Sequence, residues 1–217
     1  ICALIFNSIR DGGAIYYFKY YVSSDTTTTV GQLSLTTLYF VLGQAANILG
    51  ILLVTPISNR IGKKNTYLYA MVLATVFSIV FYFVGKGDII LIMTLQILIS
   101  MCAGSIFPLL WSMYADIADY SELRTGRRAT GLIFSSSSMS QKFGWTLGGA
   151  VTGWLLAAFG FQANVEQSPE VLTGLRLMLS ILPAVGTLLS VGFIFFYPLN
   201  EDKLEHIEQQ LTEQRKG

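Results

Sequence analysis

The chain has 217 residues, of which 53% are hydrophobic and 12% charged, with a mean hydropathy of +0.56. Soluble domains carry about 25% charged residues, so this composition points to an integral membrane protein. A net charge of +1 gives no reason to expect nucleic acid as a partner, and Cys2, Cys102 and a single histidine supply neither a CxxC pair nor a metal-ligand set.

Ile1 already lies inside an apolar run, with no initiator methionine, basic n-region or cleavage site. That is expected of a piece of a longer protein and argues against a signal peptide. Six runs approach the roughly 20 apolar residues that a membrane-crossing helix needs. They span about 2–22, 34–58, 66–84, 89–112, 129–159 and 173–197. The third, TYLYAMVLATVFSIVFYFV, is free of charge and reaches about 28 Å as a helix. Pro108 and Pro183 stand inside the fourth and sixth runs, where membrane helices tolerate them as bends. Long continuous runs of this kind exclude a barrel of short alternating strands.

The connections alternate in charge. NRIGKK (59–64), SELRTGRR (121–128) and the tail hold nine basic residues, whereas 23–32, 85–88 and 161–171 hold only Lys86. Basic connections favour the cytoplasm, which places both ends of the segment there. The tail, 200–217, reads as a cytoplasmic helix with Asn200 as its cap and Leu204, Ile207 and Leu211 as an apolar stripe on the membrane surface.

Three polar clusters interrupt the spans. In the first, Arg10 and Asp11 sit in IRDGGAIYYFKYY, about 100° apart on a helix, so one is expected at a cavity and the other at a neighbouring helix. Tyr16, Tyr17, Tyr20 and Tyr21 follow as an interfacial aromatic belt, with Lys19 reaching outward. In the second, Asp116, Asp119 and Glu122 share one helical face and precede Arg124, Arg127 and Arg128. Such charges suit a weak ionic latch, each exposed pair contributing about 0–1 kcal/mol, or simply a solvated basic loop. In the third, Lys142 stands about a dozen residues into the fifth span. A charge there costs roughly 2.5–3.5 kcal/mol against lipid, so it must face protein or a wet cavity. Ser137, Ser138 and Gln141 extend a polar face beside it. Such a face suits hydrogen bonding to a polyol, the alternative being a structural ion pair. Gly144 and Gly148, and Gly149 and Gly153, have the spacing of close helix packing.

GGAIYYFKYYV, NRIGKKN, MYADIADYSELRTGRRATGLIFS and QKFGWTLGGAVTGWLLAAFGF together resemble the glycoside–pentoside–hexuronide:cation symporters, a branch of the major facilitator superfamily that includes the melibiose permease. NRIGKK is similar to the superfamily's D-R-x-G-R-K loop, with Asn59 in place of the acid. The resemblance covers the whole chain as the C-terminal six-helix half. It implies an all-α half-bundle of 3+3 inverted repeats in the bacterial inner membrane, and alternating-access symport of a sugar, glycoside or hexuronide without a cofactor. It implies that Lys142 helps form the sugar site, with Ser137, Ser138 and Gln141 as its neighbours. Phe107 falls at an aromatic contact where the permease has Trp, and Asp116, Asp119 and Arg128 match a cytoplasmic charge network. The Na⁺- or H⁺-binding carboxylates and the main sugar-gripping Asp and Arg would belong to an N-terminal six-helix half. Other readings are a carrier of lipid or another solute, and a six-helix structural protein. A membrane enzyme is disfavoured, because the chain has no clustered catalytic set.

Overall fold

Helix α1 (Cys2–Tyr16) passes directly into a π-helical turn, Tyr17–Val22, at the end of the first run. The structure, a computed structural model, describes residues 1–22, 29–30, 33–199 and 201–216; the expected cap Asn200 lies outside them, as do most of the 23–32 connection and the side chains of Arg215 and Lys216. Strands β1 (Thr29–Val30) and β2 (Leu33–Ser34) pair antiparallel in a short ribbon, the one departure from helix among the described elements. Ser34 then caps α2 (Leu35–Ile61), its hydroxyl accepting from the Thr37 N–H at 3.2 Å. Gly62 alone separates α2 from α3 (Lys63–Tyr82). Its φ of +85° is a conformation that glycine adopts without a Cβ clash.

Helix α4 covers Ile89–Thr125 and so continues well past the expected end at 112. Polar residues stop the apolar run but not the helix, which ends at Gly126 in the left-handed conformation. Helix α5 is Thr130–Ala158. The sixth run is two helices, α6 (Pro169–Leu179) and α7 (Ile181–Phe195), meeting at Ser180. Helix α8 (Glu201–Lys216) forms the tail. Among the described residues four segments are long and apolar enough to cross a membrane: Leu35–Ile61, Lys63–Tyr82, Ile89–Thr125 and Pro169–Phe195. The first and fifth runs are the more polar ones, and they pack on each other.

The helices pair as α1 with α5 and α7, α2 with α4, and α3 with α4 and α7. The α1–α5 seam is made by small residues. A Cβ on Gly144 would lie 2.8 Å from the Leu4 Cβ, and one on Gly148 would lie 2.7 Å from the Ile5 carbonyl oxygen. The same device joins α2 to α4, where Gly50 faces the Met101 carbonyl and Gly104 the Asn47 carbonyl. Gly149 and Gly153 differ from the expectation of a second seam, since nothing among the described residues lies within 4 Å of where their Cβ atoms would be. Buried polar groups of α3 and α7 pair with each other, as burial favours: Thr75 with Thr187 at 2.6 Å, and Tyr67 with Ser190 at 2.5 Å.

Two expectations about the ends of the bundle change. Tyr17 and Tyr21 are 1% and 7% exposed and belong to the main core with Phe18, Tyr39 and Phe81, so they form no interfacial belt. The widened turn carries these rings inward. Lys19 does reach outward, to the Asn164 side-chain oxygen at 3.0 Å. At the other end, the stripe of α8 lies on protein. Ile207 and Leu211 pack with Leu199 against Ile117, Tyr120 and Leu123 of the α4 extension.

Candidate functional site

Where α1, α4 and α5 converge, Asn7, Arg10, Phe107, Tyr114, Ser137 and Gln141 border a cavity of about 150 Å³, with α3 and α7 behind it. Asn7 and Arg10 come from one turn of α1, Phe107 and Tyr114 from the α4 face two turns apart, and Ser137 and Gln141 from successive turns of α5. Ser137 is buried and donates to the Ile133 carbonyl at 2.8 Å, which leaves its oxygen as an acceptor. The side-chain nitrogen of Gln141 is buried and has no hydrogen-bond partner among the described residues. A buried, unpaired amide donor costs about 1–3 kcal/mol, and an acceptor brought into the cavity would relieve it.

Lys142 does not line this cavity. It follows Gln141 by about 100° on α5 and stands exposed on the adjoining face. Exposed Ser135 and Thr146 lie to either side along that face, with half-buried Ser138 and the two uncovered glycines, Gly149 and Gly153. The face is therefore polar or small along most of its length, with exposed Trp145 at its edge toward Gln141. The next face over carries Met139, Phe143, Leu147 and Trp154, all exposed and apolar, as befits contact with lipid. Phe107 is half-buried at the cavity edge.

Arg10 and Asp11 separate as their angle requires. Arg10 is 3% exposed and borders the cavity, but its guanidinium bonds to the bundle: to the Leu179 carbonyl at 2.9 Å, the Tyr39 hydroxyl at 3.1 Å and the Gln96 side-chain oxygen at 2.7 Å. Gly12 faces Thr152 of α5 and Gly13 faces Met178 of α6. Asp11 is thus left on the strip of Asn7 and exposed Ile15, half-buried and without an ion pair among the described residues.

The charges on the α4 extension divide into two groups. Arg128 pairs with Asp119 at 2.7 Å and Glu122 at 3.7 Å. Asp116 instead pairs with Lys63 at 2.8 Å, a partner sequence reasoning passed over although it lies in the basic loop of the same end. Arg124 donates to the Tyr120 hydroxyl at 3.2 Å, and the side chain of Arg127 forms no ion pair among the described residues. Lys64 donates to the Tyr197 carbonyl at 2.7 Å. Burial, with the Asp116 and Glu201 carboxylates close by, pushes the Tyr197 phenol above its ordinary range, and its hydroxyl has no partner among the described residues. No group of three or more His, Cys, Asp or Glu side chains capable of holding a metal occurs among the described residues.

A family model described as MFS/sugar transport protein matches residues 2–201. The chain is 30% identical, over its full length, to 46% of a glucuronide carrier protein homolog of Escherichia coli K12. It is 30% identical over 96% of its length to 44% of a putative glycoside/cation symporter of the same organism. It is 34% identical over 90% of its length to 39% of an isoprimeverose transporter of Lactiplantibacillus pentosus. The chain spans less than half the length of these relatives.

Proposed function

The chain belongs to the MFS/sugar transport protein family, in the branch of the glycoside–pentoside–hexuronide:cation symporters, whose members are membrane transporters and not enzymes, and from that premise we propose that it forms one six-helix wall of an alternating-access carrier for a sugar, glycoside or hexuronide. The observation that carries this reading is the α5 face. An exposed lysine at mid-span, with Ser138 and Thr146 beside it and the unpaired Gln141 amide one step round the helix, would be costly against lipid. Against a polyol it supplies donors and acceptors. Lys142 donates to solute hydroxyl or carboxylate oxygens. Gln141 and Ser137 hold the sugar edge that enters the cavity, Ser138 and Asp11 accept from hydroxyls, and Phe107 gives an apolar ring for a sugar face.

The cavity, about 150 Å³, falls below the ~300–1,000 Å³ of a typical small-molecule site. This is consistent with a site completed by an N-terminal six-helix half that also carries the coupling-ion site for Na⁺ or H⁺. The helix pairing supports a 3+3 inverted repeat: exchanging α1 with α4, α2 with α5, and α3 with α6–α7 turns α1–α5 into α4–α2, and α3–α4 into α7–α1. The basic connections favour a cytoplasmic side for the α2–α3 turn, the α4 extension and α8. There Asp116, Asp119, Glu122, Arg124, Arg127 and Arg128 form a gate whose ion pairs, half-exposed at the bundle end, can exchange during rocking.

The test is uptake into proteoliposomes by the protein as its gene encodes it, with a glucuronide, isoprimeverose and a fluorescent phospholipid offered under Na⁺ and pH gradients. Gradient-driven uptake of a carbohydrate supports the reading. Movement of the lipid alone, or of nothing under either gradient, contradicts it.

A further inference from the structure

Pro183 lacks the N–H that, in an unbroken helix, would bond the carbonyl of Leu179 four residues before it. The sixth run opens at that point: α6 ends at Leu179, Ser180 takes φ −125° and ψ −83°, and α7 begins at Ile181. Backbone carbonyls freed inside a membrane must find donors from protein, since none come from lipid. Ser180 serves two of them, its hydroxyl donating to the Arg176 carbonyl at 2.5 Å and its N–H to the Leu177 carbonyl at 3.2 Å. The Leu179 carbonyl itself receives the Arg10 Nη1 at 2.9 Å.

Arg10 is suited to this place. A helix C-terminus carries partial negative charge, which a cation offsets, and a guanidinium offers several donors in a fixed plane. Its other terminal nitrogen bonds Tyr39 of α2 and Gln96 of α4, and its carbon lies 5.2 Å from the centre of the Phe81 ring of α3. One side chain of α1 thereby touches α2, α3, α4 and the α6–α7 break. Two further cations follow the same rule at helix C-termini: Arg176 donates to the Tyr82 carbonyl at the end of α3, and Lys64 to the Tyr197 carbonyl just past α7.

We propose that Arg10 is a positioning residue. It supplies the donor that Pro183 removes, fastens the break in the sixth run to α1, α2 and α4, and so holds the Asn7–Asp11 strip of α1 in register with α5. Only the consequence for solute rests on the transport reading; the clip itself does not.

A double-mutant cycle on the purified full-length protein tests it. Arg10→Met lowers the thermal midpoint, while Pro183→Ala alone shifts it by no more than about 2 °C. Combined, they recover at least half of the loss, because Pro183→Ala returns an N–H to the Leu179 carbonyl. If the Arg10→Met protein does not accumulate, Arg10→Lys, which keeps the charge but gathers its donors on a single nitrogen, enters the same cycle. With methyl β-glucuronide as the probe, Arg10→Lys lowers Vmax about tenfold and leaves KM within about twofold. Additive midpoints in the cycle overturn the proposal. So does a large rise in KM at unchanged midpoint, which would make Arg10 a solute ligand. Should the unsubstituted protein take up no glucuronide, the solute reading is what fails, and the midpoint cycle still decides the clip.

Discussion

Lys142 and Arg10 are two cations at membrane depth with opposite environments. Arg10 is enclosed and bonded on every side described, whereas Lys142 is exposed on a polar helix face. Lys142 is exposed, so Lys142→Ala should move the thermal midpoint by no more than about 2 °C. It should weaken solute binding about tenfold or more, equivalent to about 1.4 kcal/mol. Calorimetry and solute titration on the same preparation check both halves, and an unchanged affinity would assign Lys142 a structural role. Lys142 was legible in the sequence because a charge inside an apolar run stands out by itself. The place of Arg10 was not legible, because its acceptors are 29, 86 and 169 residues away in the chain. Only the folded bundle brings a carbonyl freed by proline, a tyrosine and a glutamine to one guanidinium. Gln141 was read as part of the polar face, but only the folded bundle shows its nitrogen buried and unpaired among the described residues.

At the scale of elements, apolar runs pointed to helices, and the places where the helices depart from those runs have physical causes. The fourth run lengthens because helical bonding continues through Asp116–Thr125, where the apolar count has already stopped. The sixth divides because Pro183 and Ser180 act together. Glycine spacing proposed two packing seams on α5, but spacing cannot say which one meets a partner. Gly148→Leu should therefore separate α1 from α5 and cost about 2 kcal/mol or more through overpacking, whereas Gly149→Ala should leave stability within about 0.5 kcal/mol. Equal thermal midpoints for the two variants would contradict the seam. The tail behaves as part of the bundle. Gly62 gives α3 no side-chain cap, and Glu201 supplies one from α8, accepting from the Lys63 N–H at 2.8 Å. Glu201→Ala should cost about 0.5–2 kcal/mol, as loss of a cap does. Faster hydrogen exchange at the Lys63 amide would report it, and unchanged protection there would mean that α8 stands by itself.

For the molecule as a whole, composition and the alternating basic connections sufficed to assign a multi-pass membrane protein. Residue motifs sufficed for its family, which the match over residues 2–201 establishes. The pairing of α1 with α5 and α2 with α4 was not legible, since it joins helices far apart in the chain through glycines that look alike in sequence. That pairing leaves one face of α5 polar and the next apolar, and the transport reading depends on the difference. Thr146 lies one turn beyond Lys142 on the polar face, and Leu147 lies on the apolar one. In the full-length protein with Cys2 and Cys102 replaced, the decisive measurement is the rate at which a water-soluble thiol reagent modifies Thr146→Cys and Leu147→Cys in membrane vesicles, with and without a glucuronide. The account predicts that the Thr146→Cys thiol reacts and that bound glucuronide slows it, while the Leu147→Cys thiol stays unmodified in lipid. Equal reactivity at the two positions, or a Thr146→Cys rate that no carbohydrate alters, would contradict it.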